Sequence, residues 1–121
     1  MAKIYKKTAT TTADILEYAL TKLWGKDGRR WIKYSYHLQK RVGGKEVDTY
    51  CLMGGIAAAS RQLNASGTER LKARNTVLHN IRKVYKGHNY RSIPQFNDQT
   101  TTKFSHIKDV VCTSLKQLVK E

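Results

Sequence analysis

Thr49-Tyr50-Cys51-Leu52-Met53-Gly54-Gly55-Ile56-Ala57-Ala58-Ala59-Ser60 is the longest uncharged stretch of a 121-residue chain that carries 23 Lys and Arg against 9 Asp and Glu. Leu52, Ile56, Ala59 and Leu63 recur at helical spacing, while Gly54, Ala57 and Ala58 on the remaining faces are small enough for other elements to approach closely. A helix apolar on every side belongs inside. Asp48, just ahead of it, is the candidate N-cap. The other elements are expected to pack around this helix.

Upstream, Thr11 or Thr12 caps a first helix running to about Trp24, with Ile15, Leu16, Ala19, Leu20 and Leu23 on one face and Gly25 as its stop. Residues 1–9, with Lys3, Lys6 and Lys7 and no acid, read as a mobile basic arm or a short edge segment. From Arg29 to Gln39 the period changes to two: Ile32, Tyr34, Tyr36 and Leu38 alternate with Trp31, Lys33, Ser35 and His37, as in a strand. Gly43-Gly44 supplies a two-residue turn, so Lys45 to Val47 should return antiparallel to Gln39 to Val42. A lone hairpin is only marginally stable, so its Ile32, Tyr34, Tyr36, Leu38 face is expected to pack on the helices.

Downstream, Ser66 and Glu69 have capping-box spacing for a helix of about Thr68 to Lys86, with Leu71, Val77, Leu78, Ile81, Val84 and Tyr85 facing inward. Gly87, Asn89 and Pro94, the only proline, mark a loop. Thr101 or Thr102 opens a last helix to Val119 with Phe104, Ile107, Val111, Leu115 and Leu118 toward the core. The expected fold is α+β, mainly α: about four helices around one core, with a β-hairpin inserted between helices 1 and 2, in a single domain spanning residues 1–121.

The formal charge of +14 makes polyanions the first candidates for a partner: nucleic acid, then an acidic protein, then anionic lipid. The excess is concentrated in residues 67–93, which hold seven cations and one acid, whereas residues 48–66 are neutral. On the third helix Lys72, Asn75, His79, Arg82, Lys83 and Lys86 fall within about a third of the circumference. Cations with an amide and an imidazole among them suit a helix that tracks phosphates and reaches base edges. The plainer alternative is that any outward face of a basic protein is basic. The hairpin offers a second surface, with Lys33, Lys40, Arg41 and Lys45 among Trp31, Tyr34 and Tyr36, a pairing that can hold phosphates and stack bases. Against this, the preferred reading of the aromatics is as core and strand formers. Arg70 and Arg74 lie on the apolar side of the third helix, to pair with an acid such as Asp98 or to snorkel.

Four histidines and two cysteines show no CxxC, HxxxH or HExxH spacing, so no metal is expected. The glycine pairs sit in no GxGxxG or Walker pattern, and Asp48, Asp98 and Asp109 are too scattered to suggest a carboxylate pair. No cofactor and no catalytic residue is expected. Cys51 and Cys112 read as reduced packing residues. No apolar run reaches the length of a membrane span, and the opening Met-Ala-Lys-Ile-Tyr-Lys-Lys lacks a secretion signal's apolar stretch, so a cytoplasmic location is expected.

Leu23-Trp24-Gly25, then Cys51-Leu52-Met53-Gly54-Gly55-Ile56, then Phe96-Asn97-Asp98 ahead of a Thr-capped helix containing Asp109-Val110-Val111, resemble a small family known only as a domain of unknown function, from actinobacteria and their bacteriophages. Its members share a Cys-Leu-Leu-Gly-Ala-Leu helix and an aromatic-Asn-Asp loop followed by a Thr-x-x-Glu-Val helix. This chain has Gly55 for the alanine and Ser105 or His106 where the acid would stand. The resemblance implies the order helix, hairpin, helix, helix, helix and a phage or bacterial cytosolic origin, the host cytoplasm if phage-encoded. It implies no activity. Asn97 and Asp98 also have a local account, as caps of the following turn or of the last helix.

The expectation is therefore a small basic nucleic-acid-binding accessory protein, of the phage or bacterial origin the resemblance implies, non-enzymatic and gripping phosphates electrostatically, with DNA the first choice and homo-oligomerisation open. The alternative is an interaction module docking on an acidic host or partner protein. An enzyme with a scattered site ranks third.

Overall fold

The computed structural model describes residues 9–25 and 27–120. The expected basic arm, with Lys3, Lys6 and Lys7, lies outside the described residues except for Ala9. Helix α1, Thr12–Tyr18, continues into a π turn, Ala19–Leu23. Thr11 is its cap: the Thr11 hydroxyl accepts the Asp14 N–H and the Asp14 carboxylate accepts the Thr11 N–H. Thr12 instead donates its N–H at 2.8 Å and its hydroxyl at 2.7 Å to the Glu69 carboxylate. Ser66 caps the third helix as expected, through the Glu69 N–H, but the Glu69 side chain has been used to tie that helix to α1.

Strands β1, His37–Val42, and β2, Lys45–Tyr50, form an antiparallel hairpin with Val42 opposite Lys45 and His37 opposite Tyr50. Gly43 and Gly44 both have positive φ, +61° and +83°, as a two-residue turn of this hand requires. The expected strand from Arg29 is corrected. It begins only at His37, and of the face Ile32, Tyr34, Tyr36, Leu38 just Ile32 is buried, while Tyr34 is 75% and Tyr36 60% exposed. The cause lies far away in sequence. Ile32 is held by Tyr50 and Asn97, and the Asp98 carboxylate accepts the Tyr34 N–H at 2.8 Å, turning the chain through a φ of +70° at Tyr34. Alternation cannot survive such a turn.

Helix α2, Leu52–Gln62, is the interior element that the opening stretch predicts. Leu52, Ile56 and Ala59 enter one core cluster with Ile15, Leu16, Ala19 and Trp24 on one side and residues of the later helices on the other. Its small residues permit the contacts: a Cβ on Gly54 would lie 1.9 Å from the Tyr36 carbonyl oxygen, and one on Gly55 would lie 2.5 Å from the Trp24 ring. The cap is not Asp48. Cys51 takes that place, its Sγ accepting the Gly54 N–H at 3.2 Å, while Asp48 sits on β2 and bonds His37.

Helix α3, Gly67–Val84, buries Ala73, Val77, Asn80 and Ile81. The expected inner residues Leu71 and Val84 are exposed: Leu71 is two positions from Ala73, roughly opposite it on the wheel, and Val84 lies in the final turn. Asn80 takes an inner position because α5 satisfies it, with Ser114 Oγ and the Gln117 side chain each 3.0 Å from its Nδ2. The stretch read as a loop contains a short helix, α4, Ile93–Asp98, capped by Ser92 and started by Pro94 in its first turn. Helix α5 runs from Phe104 to Lys120, two or three residues later than the threonines suggest. The fold is thus α+β and mainly α, with five helices among the described residues and the hairpin between α1 and α2.

Cys51 and Cys112 are both free, the first buried and the second half-buried. Burial is the largest influence on the Cys51 thiol and pushes its pKa above the ordinary 9.0, against the opposing pull of the Gly54 and Met53 N–H groups. Tyr50 and Tyr85 are raised in the same way from 10.0. For an acid raised by folding, the unfolded chain ionises first, so this contribution is intact below the unfolded pKa and is lost as pH rises through the folded one. The expected outcome is that thermal stability falls as pH climbs beyond about 9. Thiol labelling with an aromatic disulfide at pH 8 is expected to be biphasic, Cys112 reacting first and Cys51 only at the rate of unfolding. A single fast phase for both would contradict the burial of Cys51.

Candidate nucleic-acid interface

Lys72, Asn75, His79 and Lys83 stand exposed on α3, and Lys86 opens the short 3₁₀ turn Lys86–His88 just beyond it. Lys72, Asn75 and His79, with Leu71, Thr68, Thr76 and Gln117, line an open depression of about 470 Å³ at the edge of α5. Arg82 is different. Its Nε donates to the Tyr90 carbonyl at 3.0 Å and a terminal nitrogen to the Arg91 carbonyl at 3.1 Å, so its guanidinium holds the loop ahead of α4.

The hairpin cations are not gathered with this stripe. Lys33 lies ahead of β1, its Nζ donating to the Gln99 carbonyl at 2.7 Å and sitting 5.8 Å over the Trp31 ring. Arg41 donates to the Gly44 carbonyl at 3.0 Å, and Lys45 begins β2 opposite Val42. Both are at the hairpin tip, about 15 Å along the strands from Tyr50 at roughly 3.3 Å per residue. Arg41 also faces Glu46 across the ladder, an acid that offsets part of the positive charge there.

A third basic surface went unread in the sequence. Arg61, in the last turn of α2, and Arg70 and Arg74, one turn apart on α3, line one cleft of about 430 Å³ together with Tyr36, His37, Tyr50, Met53, Gly54 and Ala57. A smaller hollow continues it past Arg61 and Arg70 toward Ser60, Asn64 and Gly67. Asp98, the acid proposed for Arg70 or Arg74, is committed to Tyr34 and Asn97 instead. Among the described residues the ion pairs are Arg29–Asp27 and His37–Asp48, so none of the three arginines is matched by a carboxylate. His37 stacks on Tyr50 at 4.8 Å between ring centres and bonds Asp48, and that hydrogen bond is the main reason the Asp48 carboxyl sits below its usual range. The available signal was the i, i+4 pair Arg70 and Arg74 on a helix side that also meets α2.

The motifs behind the family resemblance meet in space, and they build a joint. The Trp24 indole N–H donates to the Cys51 carbonyl at 3.3 Å, its ring lies against Gly55, and the Asn97 Oδ1 accepts the Leu52 N–H at 2.9 Å. Asn97 is fully buried with four polar partners, so it serves the start of α2 rather than the turn after it or the last helix. Among the described residues no three His, Cys, Asp or Glu side chains gather as a metal group, and no helix is long and apolar enough to cross a membrane.

No curated protein and no solved structure matches the chain. A family profile covers residues 7–113, which include α1, the hairpin, α2, α3, α4 and most of α5. The chain belongs to a family of unknown function, DUF6197.

Proposed function

We propose that the protein is a non-enzymatic, cytosolic nucleic-acid-binding accessory protein that holds phosphates through α3 and the cleft beside it. The observation that carries this reading is the meeting of Arg61, Arg70 and Arg74 at one cleft with no carboxylate paired to them among the described residues. Like charges held together raise the local potential, and a polyanion lowers it. Guanidinium groups also match phosphate geometry in a way that scattered lysines do not. The exposed Lys83 and Lys86 extend the same field along the far side of α3.

Titrating a labelled duplex at several salt concentrations tests it. With about six phosphates engaged, log K is expected to fall with log salt at a slope of roughly −5. Replacing Lys83 and Lys86 with Ala should reduce that magnitude by about 2. No binding at about 50 mM salt, where counterion release is strongly favourable, would overturn the reading.

A second reading rests on the hairpin. Leu38 is 49% exposed, and Val42 and Val47 share its face, so the ribbon offers an apolar strip flanked by Lys40 and Lys45. Such a strip suits an acidic protein partner. Partner capture that survives nuclease treatment and is lost with Leu38→Glu would favour it.

A further inference from the structure

We propose that Tyr34 and Tyr36 form a stacking platform for unpaired bases of a single nucleic-acid strand whose phosphates occupy the adjoining arginine cleft. The proposal rests on the nucleic-acid reading above and goes beyond it by naming the substrate as single-stranded. Three independent features lead there.

The first is exposure. Tyr34 and Tyr36 are neither core nor strand residues: both precede β1, and both rings face solvent. The packing account of these aromatics is therefore absent. The second is backbone strain. Tyr34 adopts a φ of +70°, a region in which glycine is unstrained and a bulky side chain is rare. The turn itself needs only the backbone N–H that Asp98 accepts, so glycine would serve the fold at least as well. A strained aromatic whose ring is left in water points to a task for the ring.

The third feature is placement. The Tyr36 carbonyl accepts the Cys51 N–H and rests on Gly54, which fixes the backbone against α2. Tyr36 lines the arginine cleft on one side and, with Tyr34, Ser35, Cys51, Pro94 and Asp98, a hollow of about 240 Å³ on the other. Aromatic faces next to guanidinium groups are the arrangement that holds single strands, because every unpaired base has a stacking face and every linkage a phosphate. A duplex offers the phosphates but keeps its bases stacked on each other.

The experiment compares a fluorescein-labelled 20-nucleotide oligothymidylate with a duplex of the same length by anisotropy, using the full chain. The single strand is expected to bind more tightly. Tyr34→Gly and Tyr36→Ala should each weaken it by about fivefold to 150-fold, the range for one lost base–aromatic stack, while duplex affinity stays within about twofold. Arg61→Ala with Arg70→Ala and Arg74→Ala should weaken both ligands and flatten the single-strand salt slope by about 2. Thermal unfolding controls for folding, and Tyr34→Gly is expected to leave the Tm unchanged or raised because it removes the strain at Tyr34. Unchanged single-strand affinity in both tyrosine variants overturns the platform and leaves phosphate binding standing. Loss of duplex and single-strand binding to the same extent in those variants also overturns it. Failure of both ligands to bind the unaltered protein removes the underlying reading as well.

Discussion

Asn97→Ala is expected to lower the unfolding free energy by about 4 kcal/mol, the sum of three or so stranded buried polar groups at 1–3 kcal/mol each after partial relaxation. Asn97 is fully buried, and all of its amide is in use. Its Oδ1 accepts the Trp31 indole N–H at 2.6 Å and the Leu52 N–H at 2.9 Å, and its Nδ2 donates to the Ile32 carbonyl at 3.0 Å and to Asp98 at 2.9 Å. Two of these partners are backbone groups, so no second substitution can remove them. The loss is a large part of the 5–15 kcal/mol that a domain of this size commonly has. Asn97→Asp, equal in size, keeps the acceptor but forfeits the donor and sets a carboxylate against Asp98, so it should be no better. Urea unfolding followed by the fluorescence of Trp24 and Trp31 measures both. A loss below about 1 kcal/mol for the alanine variant, the net value of one ordinary hydrogen bond, would show that the joint between α2 and α4 does not depend on this side chain.

Gly54→Ala is expected to cost about 3 kcal/mol even though alanine is the better helix former. In a helix interior the exchange favours alanine by up to about 1 kcal/mol. Here the added methyl would stand 1.9 Å from the Tyr36 carbonyl oxygen, so the segment ahead of β1 must lift and its bond to the Cys51 N–H must break. Overpacking of this kind costs typically 1–3 kcal/mol and the stranded N–H adds to it, so the steric term wins. The same movement shifts Tyr36 where it lines the arginine cleft, which links this variant to function: single-strand affinity should fall with stability. Gly55→Ala, with its methyl 2.5 Å from a buried Trp24 ring, should lose a comparable amount without moving Tyr36. Gly67→Ala is the control, since nothing lies within 4 Å of its Cβ position, and it should be neutral or slightly stabilising. Chemical denaturation of the three proteins side by side checks the order. Equal stability of Gly54→Ala and Gly67→Ala would refute the close approach.

The motifs that carry the family resemblance have a structural meaning. Trp24, Gly54, Gly55 and Asn97 hold α2 against its neighbours, and the arginines and tyrosines proposed to act stand on the surfaces that this joint fixes.

By itself the sequence determined that the uncharged stretch from Thr49 to Ser60 holds the interior helix, though the structure gives Thr49 and Tyr50 to β2 and runs the helix over Leu52–Gln62, that helices with apolar faces surround it, that Gly43-Gly44 turns the hairpin and that the molecule carries a strong positive field. These follow from spacing within a turn or two of the chain, or from composition, and need no knowledge of neighbours in space. Tertiary structure alone decided that Tyr34 and Tyr36 face water, that Cys51 and not Asp48 caps α2, that Arg82 is bound to the loop beside it and that Arg61 joins Arg70 and Arg74 at one cleft. Most of these outcomes depend on a polar partner or a facing helix that the local pattern does not encode. Asp98 and Tyr34 stand 64 positions apart in the chain, so the bend at Tyr34 is written in the packing of distant segments and in no local pattern.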